Sequence, residues 1–151
     1  MERMSNREAP SYATTIEVRD TCFCLHVRRA ARAVARRYDE ALRPLGLSNG
    51  QFSLLMSLNR PEAASIGAVS ALLGMDRTTL TANLKPLERR GLVTVAVDAA
   101  DRRGRRMTLT AAGRALLAAA IPLWERTQAE TERLIAGADP AGLRADLRAL
   151  S

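Results

Sequence analysis

The strongest constraint in this sequence is a change of hydrophobic period within residues 72–113. Apolar residues recur first at helical spacing, then alternate at strand spacing, and then return to helical spacing. The apolar positions are Leu80, Leu84 and Leu87 for the helix, followed by Val93, Val95, Val97, Met107 and Leu109 for two strands. This order predicts a helix with one buried face, a short hairpin and the start of another helix.

The residues on either side of this helix predict a second helix before it. Asp76 is a typical N-cap residue, and Gly91 supplies the permissive backbone with which helices commonly end. A shorter apolar repeat begins after Ser65, another N-cap residue, and stops at Gly74. Two helices separated only by a short turn at Gly74 and Met75 have the spacing of a helix-turn-helix.

The face of the helix opposite the apolar stripe has the chemistry of a DNA-reading surface. It carries Thr78, Ala82, Lys85 and Arg89. Hydroxyls can reach base edges or phosphate, the Ala82 methyl can contact a thymine methyl, and the two cations can contact phosphate. A solvated amphipathic helix would explain these residues taken alone. The hairpin that follows makes DNA binding the better interpretation.

The tip of the predicted hairpin concentrates positive charge. It carries Arg102, Arg103, Arg105 and Arg106. Arginine at such a tip can enter the narrow, electronegative minor groove and read its shape. We expect Asp101, two residues before Arg103, to orient that guanidinium through a bidentate pair. The helix and the tip together predict a winged helix-turn-helix that binds duplex DNA.

The net charge is concentrated in the same segment. The 151 residues carry a formal charge of +7, and residues 77–106 contain eight Lys/Arg and three Asp/Glu, which places +5 there. This favours a polyanionic partner, and no long apolar span or strongly apolar basic helix favours a membrane. With one histidine, no glycine-rich phosphate loop and no nucleophile motif, we expect neither an enzyme nor a cofactor. The start of the sequence lacks a signal-peptide pattern, so we expect a cytoplasmic protein.

Two stretches resemble the recognition helix and the D-x-R…L-T-x-x-G wing signature of the MarR family, GMDRTTLTANLKPLERRGLV and DRRGRRMTLTAAG. A third, RAARAVARRYDEALRPLGLSNGQFSLLMSL, is similar to the first two helices of that family. The resemblance covers nearly everything from about Cys22 to the C-terminus, and it implies that Asp101 and Arg103 take the paired wing positions. The residues that it places at the opening of the recognition helix are Arg77, Thr78, Thr79 and Thr81. We expect Pro86 to kink that helix after its DNA-reading half.

The expected fold class is mainly α with a small β-hairpin, a winged helix-turn-helix with long N- and C-terminal dimerisation helices. We expect a flexible arm over residues 1–15, a dimerisation helix over 16–47, the DNA-binding region over 48–109 and C-terminal dimerisation helices over 110–151. An isologous homodimer would bury the apolar stripes of the terminal helices, as the first and last helices do in the resembled family. The DNA-binding regions of the two protomers, each called a reading head below, would lie about 34 Å apart and recognise a pseudo-palindromic operator on double-stranded DNA.

A small aromatic acid is one candidate signal for this regulator. The resembled family often binds such an acid between the dimerisation helices and the reading head, where His26, Arg28 or Arg32 could pair with its carboxylate. The string Cys22, Cys24 and His26 does not predict a metal site, because on one helix Cys24 points away from the other two. For the same reason we expect no disulfide between the two cysteines.

An oxidant is the alternative signal, with Cys24 as its sensor. Aligning Tyr38 and Gln51 with the family branch that senses organic hydroperoxides places Cys24 at the reactive cysteine of that branch and Tyr38 at a tyrosine that hydrogen-bonds the thiol. Arg28 and Asn49 replace two other tyrosines, and Arg28, one turn from Cys24, could stabilise a thiolate instead. Such a thiolate could be oxidised to a sulfenic acid. A buried, inert thiol is the simpler interpretation.

The sequence therefore predicts a homodimeric transcription regulator, a repressor released by a small aromatic ligand. One alternative is a thiol-based hydroperoxide sensor of the same fold. Another is an architectural DNA-binding protein, which a steep salt dependence without sequence preference would indicate.

Overall fold

The computed structural model describes residues 9–135, 137 and 139–151. These residues form seven α-helices: α1 Tyr12–Thr21, α2 Phe23–Leu42, α3 Asn49–Ser57, α4 Ile66–Leu73, α5 Arg77–Arg89, α6 Ala111–Arg133 and α7 Pro140–Ala149. A 3-10 helix, Arg43–Leu45, follows α2, and the three strands are β1 Ala64–Ser65, β2 Val93–Val97 and β3 Arg105–Leu109. The mainly α fold class with a small β component is confirmed. None of the described helices combines the length and apolarity needed to cross a bilayer.

The described part of the chain divides into two compact units, and its residues up to Ala35 form the first. Residues 1–8 of the expected flexible arm lie outside the described residues. The expectation is wrong for residues 12–15, which are helical in α1 because Ser11 accepts a hydrogen bond from the Thr14 N–H and caps the helix. The predicted continuous helix is also interrupted at Cys22, whose φ of −69° and ψ of 108° are extended.

Residues 36–151 form the second unit, whose core contains the predicted leucine stripe of α5. Leu80 and Leu87 are completely buried, and Leu84 nearly so. Other fully buried side chains come from α2, α3, α4 and β3: Leu42, Leu54, Leu55, Val69 and Met107. A helix face of this kind is held mainly by removing apolar surface from water, at about 1.5–3 kcal/mol for each large side chain. This core fixes which face of α5 remains in solvent.

Side-chain caps define where the helices of the second unit begin. Ser48 and Gln51 form a reciprocal capping box at α3, and Ser65 accepts the Ala68 N–H at α4. The remaining N-caps, each of which accepts a backbone N–H two or three residues ahead, are Asp76, Thr110 and Asp139. The N-caps at Ser65 and Asp76 agree with the sequence analysis. At the end of α5, Gly91 has the expected positive φ of 70°.

The sheet contains the predicted hairpin and one strand that was not predicted. Its order is β1-β3-β2, with both pairs antiparallel. Val95 on β2 and Ala64 on β1 both lie opposite Met107, the buried residue of the central strand. Because β1 has only two residues, it has no alternation that could have been recognised in the sequence.

The start of α6 packs closely against the residues that lead into the hairpin. The Thr110 N–H donates to the Leu92 carbonyl at 3.1 Å, and the Thr110 hydroxyl donates to the Gly91 carbonyl at 2.6 Å. The same hydroxyl accepts the Gly113 N–H at 3.0 Å. A Cβ on Gly113 would lie 2.1 Å from the Leu92 carbonyl oxygen, so only glycine fits. The Thr-x-x-Gly part of the wing motif is thus explained by packing.

Candidate nucleic-acid interface

Helix α5 presents the predicted DNA-reading residues on its solvent face. The exposed ones are Arg77, Thr78, Thr79, Ala82, Lys85 and Arg89, and Thr81 is half-buried. The buried leucine stripe holds the other face of the helix against the core. The outward face therefore offers hydroxyls, a methyl and cations, the groups that contact base edges, thymine methyls and phosphate.

The N-terminus of α5 is ordered by Asp76. One carboxylate oxygen of Asp76 accepts the Thr79 N–H at 2.7 Å. This backbone hydrogen bond is the main reason that the pKa of Asp76 is lowered from its ordinary value. The cap stabilises the turn that carries Arg77, Thr78 and Thr79.

Helix α5 also packs closely against α3. A Cβ on Gly50 would lie 2.9 Å from Oδ1 of Asn83, while Nδ2 of Asn83 donates to the Thr79 carbonyl at 3.0 Å. The helix is continuous from Arg77 to Arg89 and includes Pro86. Pro86 has no N–H to donate to the Ala82 carbonyl, but Ala82 is exposed, so water can satisfy that carbonyl. Pro86 follows the threonines in the helix, so it lies beyond the turns that carry them.

At the tip of the wing, Asp101 bonds the backbone of Arg103 and not its guanidinium. Its carboxylate accepts the backbone N–H of Arg103 at 3.0 Å, and its carbonyl accepts the Gly104 N–H at 2.9 Å. The ion pairs of the described residues do not include Asp101 with Arg103, so the predicted bidentate pair is wrong. At a separation of two residues in a tight turn, the backbone N–H lies nearer the short carboxylate than the guanidinium does. Asp101 therefore shapes the turn, and Arg103 keeps an exposed side chain.

The arginines of the wing divide into two groups. Nε of Arg106 donates to Oδ2 of Asp98 at 2.9 Å, and its Nη1 donates to the Ala63 carbonyl at 3.3 Å. The Ala100 N–H, and after it the Arg106 guanidinium, lower the pKa of Asp98. Arg106 thus links the loop end of the hairpin to the residue that precedes β1. The other three tip arginines, Arg102, Arg103 and Arg105, are exposed, and Arg105 also donates to the carbonyls of Arg102 and Gly104.

A second structural arginine lies at the end of α5. Arg90 donates through Nη1 to the Gly46 carbonyl at 2.9 Å and through Nη2 to the Leu45 carbonyl at 3.0 Å. Sequence reasoning counted Arg90 only as part of the positive charge of this segment, and it placed Arg106 among the arginines of the hairpin tip. The carbonyl partners of both arginines lie more than forty positions away in sequence, and Asp98 lies across the hairpin loop from Arg106. No local sequence pattern indicates such pairs.

The candidate sensor residues of the first unit lie mostly in solvent. Cys24, His26, Arg28 and Arg32 are exposed, and Cys22 is half-buried. Cys24, which the simpler interpretation expects to be buried, is exposed in the single chain. Nδ1 of His26 donates to the Cys22 carbonyl at 2.8 Å. Since Cys22 lies outside the helices, the two cysteines do not share one helix as the sequence argument assumed.

Tyr38 belongs to a hydrogen-bonded chain within the second unit. Its hydroxyl donates to Oε1 of Gln128 on α6, and partial burial raises the pKa of Tyr38. Nε2 of Gln128 and Nη1 of Arg144 on α7 both donate to Oε1 of Glu132, at 2.7 and 2.8 Å. The hydrogen bonds of Tyr38 thus lie within the second unit, whereas Cys24 belongs to the first.

A groove of about 440 Å³ lies between the end of α2 and α6. Its lining combines apolar surface from Ala41 and Leu123 with the cations Arg37 and Arg126. Two glutamates, Glu40 and Glu130, also line it. His26, Arg28 and Arg32 do not, so the structure offers a candidate ligand site at residues that the sequence did not single out.

Comparison with known proteins gives the same family as the wing motif. A family model described as MarR family matches residues 45–104. The chain is similar to the M. tuberculosis transcriptional regulator MosR in complex with DNA, with 44% identity, a TM-score of 0.75, and coverage of 85% of this chain and 92% of MosR. It is also similar to Bordetella bronchiseptica BpsR, whose structure concerns regulation of its DNA binding by 6-hydroxynicotinic acid. That likeness has 28% identity, a TM-score of 0.71, and coverage of 86% and 91%.

The curated relatives are transcriptional regulators as well. The transcriptional activatory protein BadR of Rhodopseudomonas palustris is 39% identical over 72 residues, which cover 46% of this chain and 41% of BadR. The chain spans less than two thirds of the length of this relative and of the next two. Each of these similar proteins is described as a transcriptional regulator or activator.

Proposed function

The chain belongs to the MarR family of winged-helix transcriptional regulators, and from this premise we propose that it binds specific sites on double-stranded DNA. The observation that carries the proposal is the exposed polar and cationic face of α5, opposite its buried leucine stripe. In this proposal Thr78 and Thr79 read base edges, and Lys85 and Arg89 contact phosphate. Arg103, at the exposed wing tip, enters the minor groove.

We propose that the protein acts as a homodimer. Large apolar side chains are exposed in both units, at fractions of 82% for Phe23 in the first and 70% for Leu150 in the second. Others are Tyr12, Val18, Leu134 and Leu147. Apolar surface of this extent is typical of a protein–protein interface. An isologous pair would present two recognition helices to a pseudo-palindromic operator.

We further propose that a small aromatic acid releases the DNA, so that the protein acts as a repressor. BpsR, one of the similar proteins, has its DNA binding regulated by 6-hydroxynicotinic acid. The groove between α2 and α6 has the volume of a small-ligand site and supplies Arg37 and Arg126 for a carboxylate. His26, Arg28 and Arg32 on α2 are the alternative carboxylate partners.

A second candidate signal is an organic hydroperoxide, which the exposure of Cys24 favours. The Cys24 thiolate would attack the peroxide, form an S–O bond and break the O–O bond, which leaves a sulfenic acid and an alkoxide that takes a proton from water to become the alcohol. Cys22→Ser is the matched control for Cys24→Ser. If oxidation releases DNA from the wild type and Cys22→Ser but not from Cys24→Ser, Cys24 is the sensor. Equal behaviour of all three proteins would remove this candidate.

The DNA proposal is tested with a duplex selected by the protein from a random pool. Fluorescence anisotropy would compare its Kd with that of a scrambled duplex of equal length over a range of salt concentrations. We expect a specificity ratio of about 10³ or more, and two half-sites one helical turn apart. A steep salt dependence without sequence preference would indicate architectural binding instead, and absence of binding would contradict the proposal. Addition of 6-hydroxynicotinate or benzoate to the complex of protein and duplex tests whether a small aromatic acid releases the DNA.

A further inference from the structure

The side chain of Arg90 connects the C-terminal end of α5 to the corner that follows α2. Arg90 is the C-cap residue of α5, and its two terminal nitrogens donate to the carbonyls of Leu45 and Gly46 at 3.0 and 2.9 Å. These two carbonyls lie at the end of the 3-10 helix, where no further turn of helix satisfies them. The contact thus joins segments 44 and 45 positions apart in sequence.

The geometry at this corner specifically fits a guanidinium. Gly46 has a φ of +66°, which turns the chain sharply after Leu45. A Cβ on Gly46 would lie 3.4 Å from Nη1 of Arg90, so the guanidinium rests close to that backbone. A planar fork can donate to two adjacent carbonyls at once, whereas an ammonium group is a single point with no fixed fork. Arginine and lysine are therefore not equivalent at position 90.

The same corner is held from its other side by Asp39. Oδ1 of Asp39, near the end of α2, accepts the Asn49 N–H at 2.6 Å and Nδ2 of Asn49 at 2.8 Å. Asn49 is the first residue of α3. Asp39 thus fixes the corner to α3, while Arg90 fixes it to α5. The segment after α2 is thus joined to the end of the DNA-reading helix through the side chain of Arg90.

We propose that Arg90 is a positioning residue, which sets the orientation of α5 relative to the end of α2 and does not bind DNA phosphate. The inference rests on the proposed function, since the orientation matters only if α5 reads DNA. It assigns adjacent arginines to different tasks: Arg89 faces phosphate, and Arg90 faces the protein. A movement of the end of α2 would reach the recognition helix through this contact.

The test compares Arg90→Lys and Arg90→Met with Arg89→Met as the matched control. The selected duplex is titrated at several salt concentrations, with the active protein concentration fixed by stoichiometric titration and folding checked by circular dichroism. We expect both Arg90 variants to bind about tenfold more weakly than the wild type, with the salt slope of the wild type. Arg89→Met is expected to reduce the slope by about 0.9 for each phosphate contact that is lost.

Three results would overturn the proposal while the wild type still binds. Wild-type affinity in Arg90→Lys would show that charge alone suffices. A slope reduced by about 0.9 per site in Arg90→Met would show a phosphate contact. An unchanged Kd of the active fraction, with only a lower melting temperature, would limit Arg90 to stability. If the wild type itself binds no duplex, the proposed function fails first, and the role of Arg90 in DNA reading fails with it.

Discussion

Replacement of Gly113 by alanine tests the joint between the hairpin and α6. A Cβ at this position would lie 2.1 Å from the Leu92 carbonyl oxygen and 3.2 Å from Cδ2 of Leu109. Since ordinary contact begins at 3.4 Å, the backbone of Leu92 and α6 must separate by about 1.3 Å. The Leu92 carbonyl accepts the Thr110 N–H, so this separation also strains the start of α6.

The size of the effect follows from three contributions. Overpacking against a backbone atom costs about 1–3 kcal/mol, and the weakened hydrogen bond to the Leu92 carbonyl costs about 1 kcal/mol. The better helix propensity of alanine offsets about 1 kcal/mol. We therefore expect Gly113→Ala to lower the free energy of unfolding by about 1–3 kcal/mol. For a chain of this length, that corresponds to a Tm lower by about 2–12 °C.

Urea unfolding followed by circular dichroism measures this loss, and Gly67→Ala is the matched control. Gly67 also lies in the first turn of a helix, but the nearest atom to its added Cβ would be Nη2 of Arg77 at an ordinary 3.5 Å. We expect Gly67→Ala to be neutral or slightly stabilising. If Gly113→Ala unfolds at the same urea concentration as Gly67→Ala, the packing explanation of the Thr-x-x-Gly motif is wrong.

Three further substitutions test the reading head. Arg103→Ala should weaken operator binding by about 1–3 kcal/mol with the fold intact, and unchanged anisotropy would remove the wing contact. Thr79→Ala should change which duplexes are selected more than it changes the Kd for a scrambled duplex; an unchanged selection would contradict base reading by this residue. The pKa of Asp76 is lower in the folded protein than in the unfolded chain, where it is near 3.9. The ionised carboxylate therefore stabilises the folded state fully above pH 3.9, and this stabilisation is lost as the pH falls through the folded pKa. Asp76→Asn keeps a cap acceptor but does not titrate, so the wild type should lose its advantage in acid melts, and a constant difference in Tm would refute the assignment.

The parts of the fold that were predictable from sequence are those with short-range causes. An N-cap such as Ser65 or Asp76 bonds a backbone N–H three residues ahead, so the cap and the helix it starts lie in one window of sequence. The stripe of Leu80, Leu84 and Leu87 is likewise a local period. The family resemblance added the paired wing positions Asp101 and Arg103 and the residues that open the recognition helix.

The parts that were missed or wrong depend on competition between neighbours or on distant partners. Asp101 had two possible donors from Arg103, and the nearer backbone N–H is the one that bonds. Strand β1 exists because Ala64 pairs with Met107, more than forty residues away. The break at Cys22 follows a helix whose start at Ser11 the sequence analysis treated as part of a flexible arm. For β1 in particular, the residue that decides the structure lies far outside any local window of sequence.

The arginines show why charge counting overestimates a DNA interface. Residues 77–106 contain eight basic residues, and a count alone would allow as many phosphate contacts per protomer, with a salt slope of about −7. Arg90 and Arg106 instead bind carbonyls and an aspartate of the protein itself. Their charges still attract DNA over a distance, but their donors are engaged and contribute no counterion-releasing contact. The segment can therefore supply at most about −5 to the slope of each protomer, and it does so with a reading head that the same two arginines hold in shape.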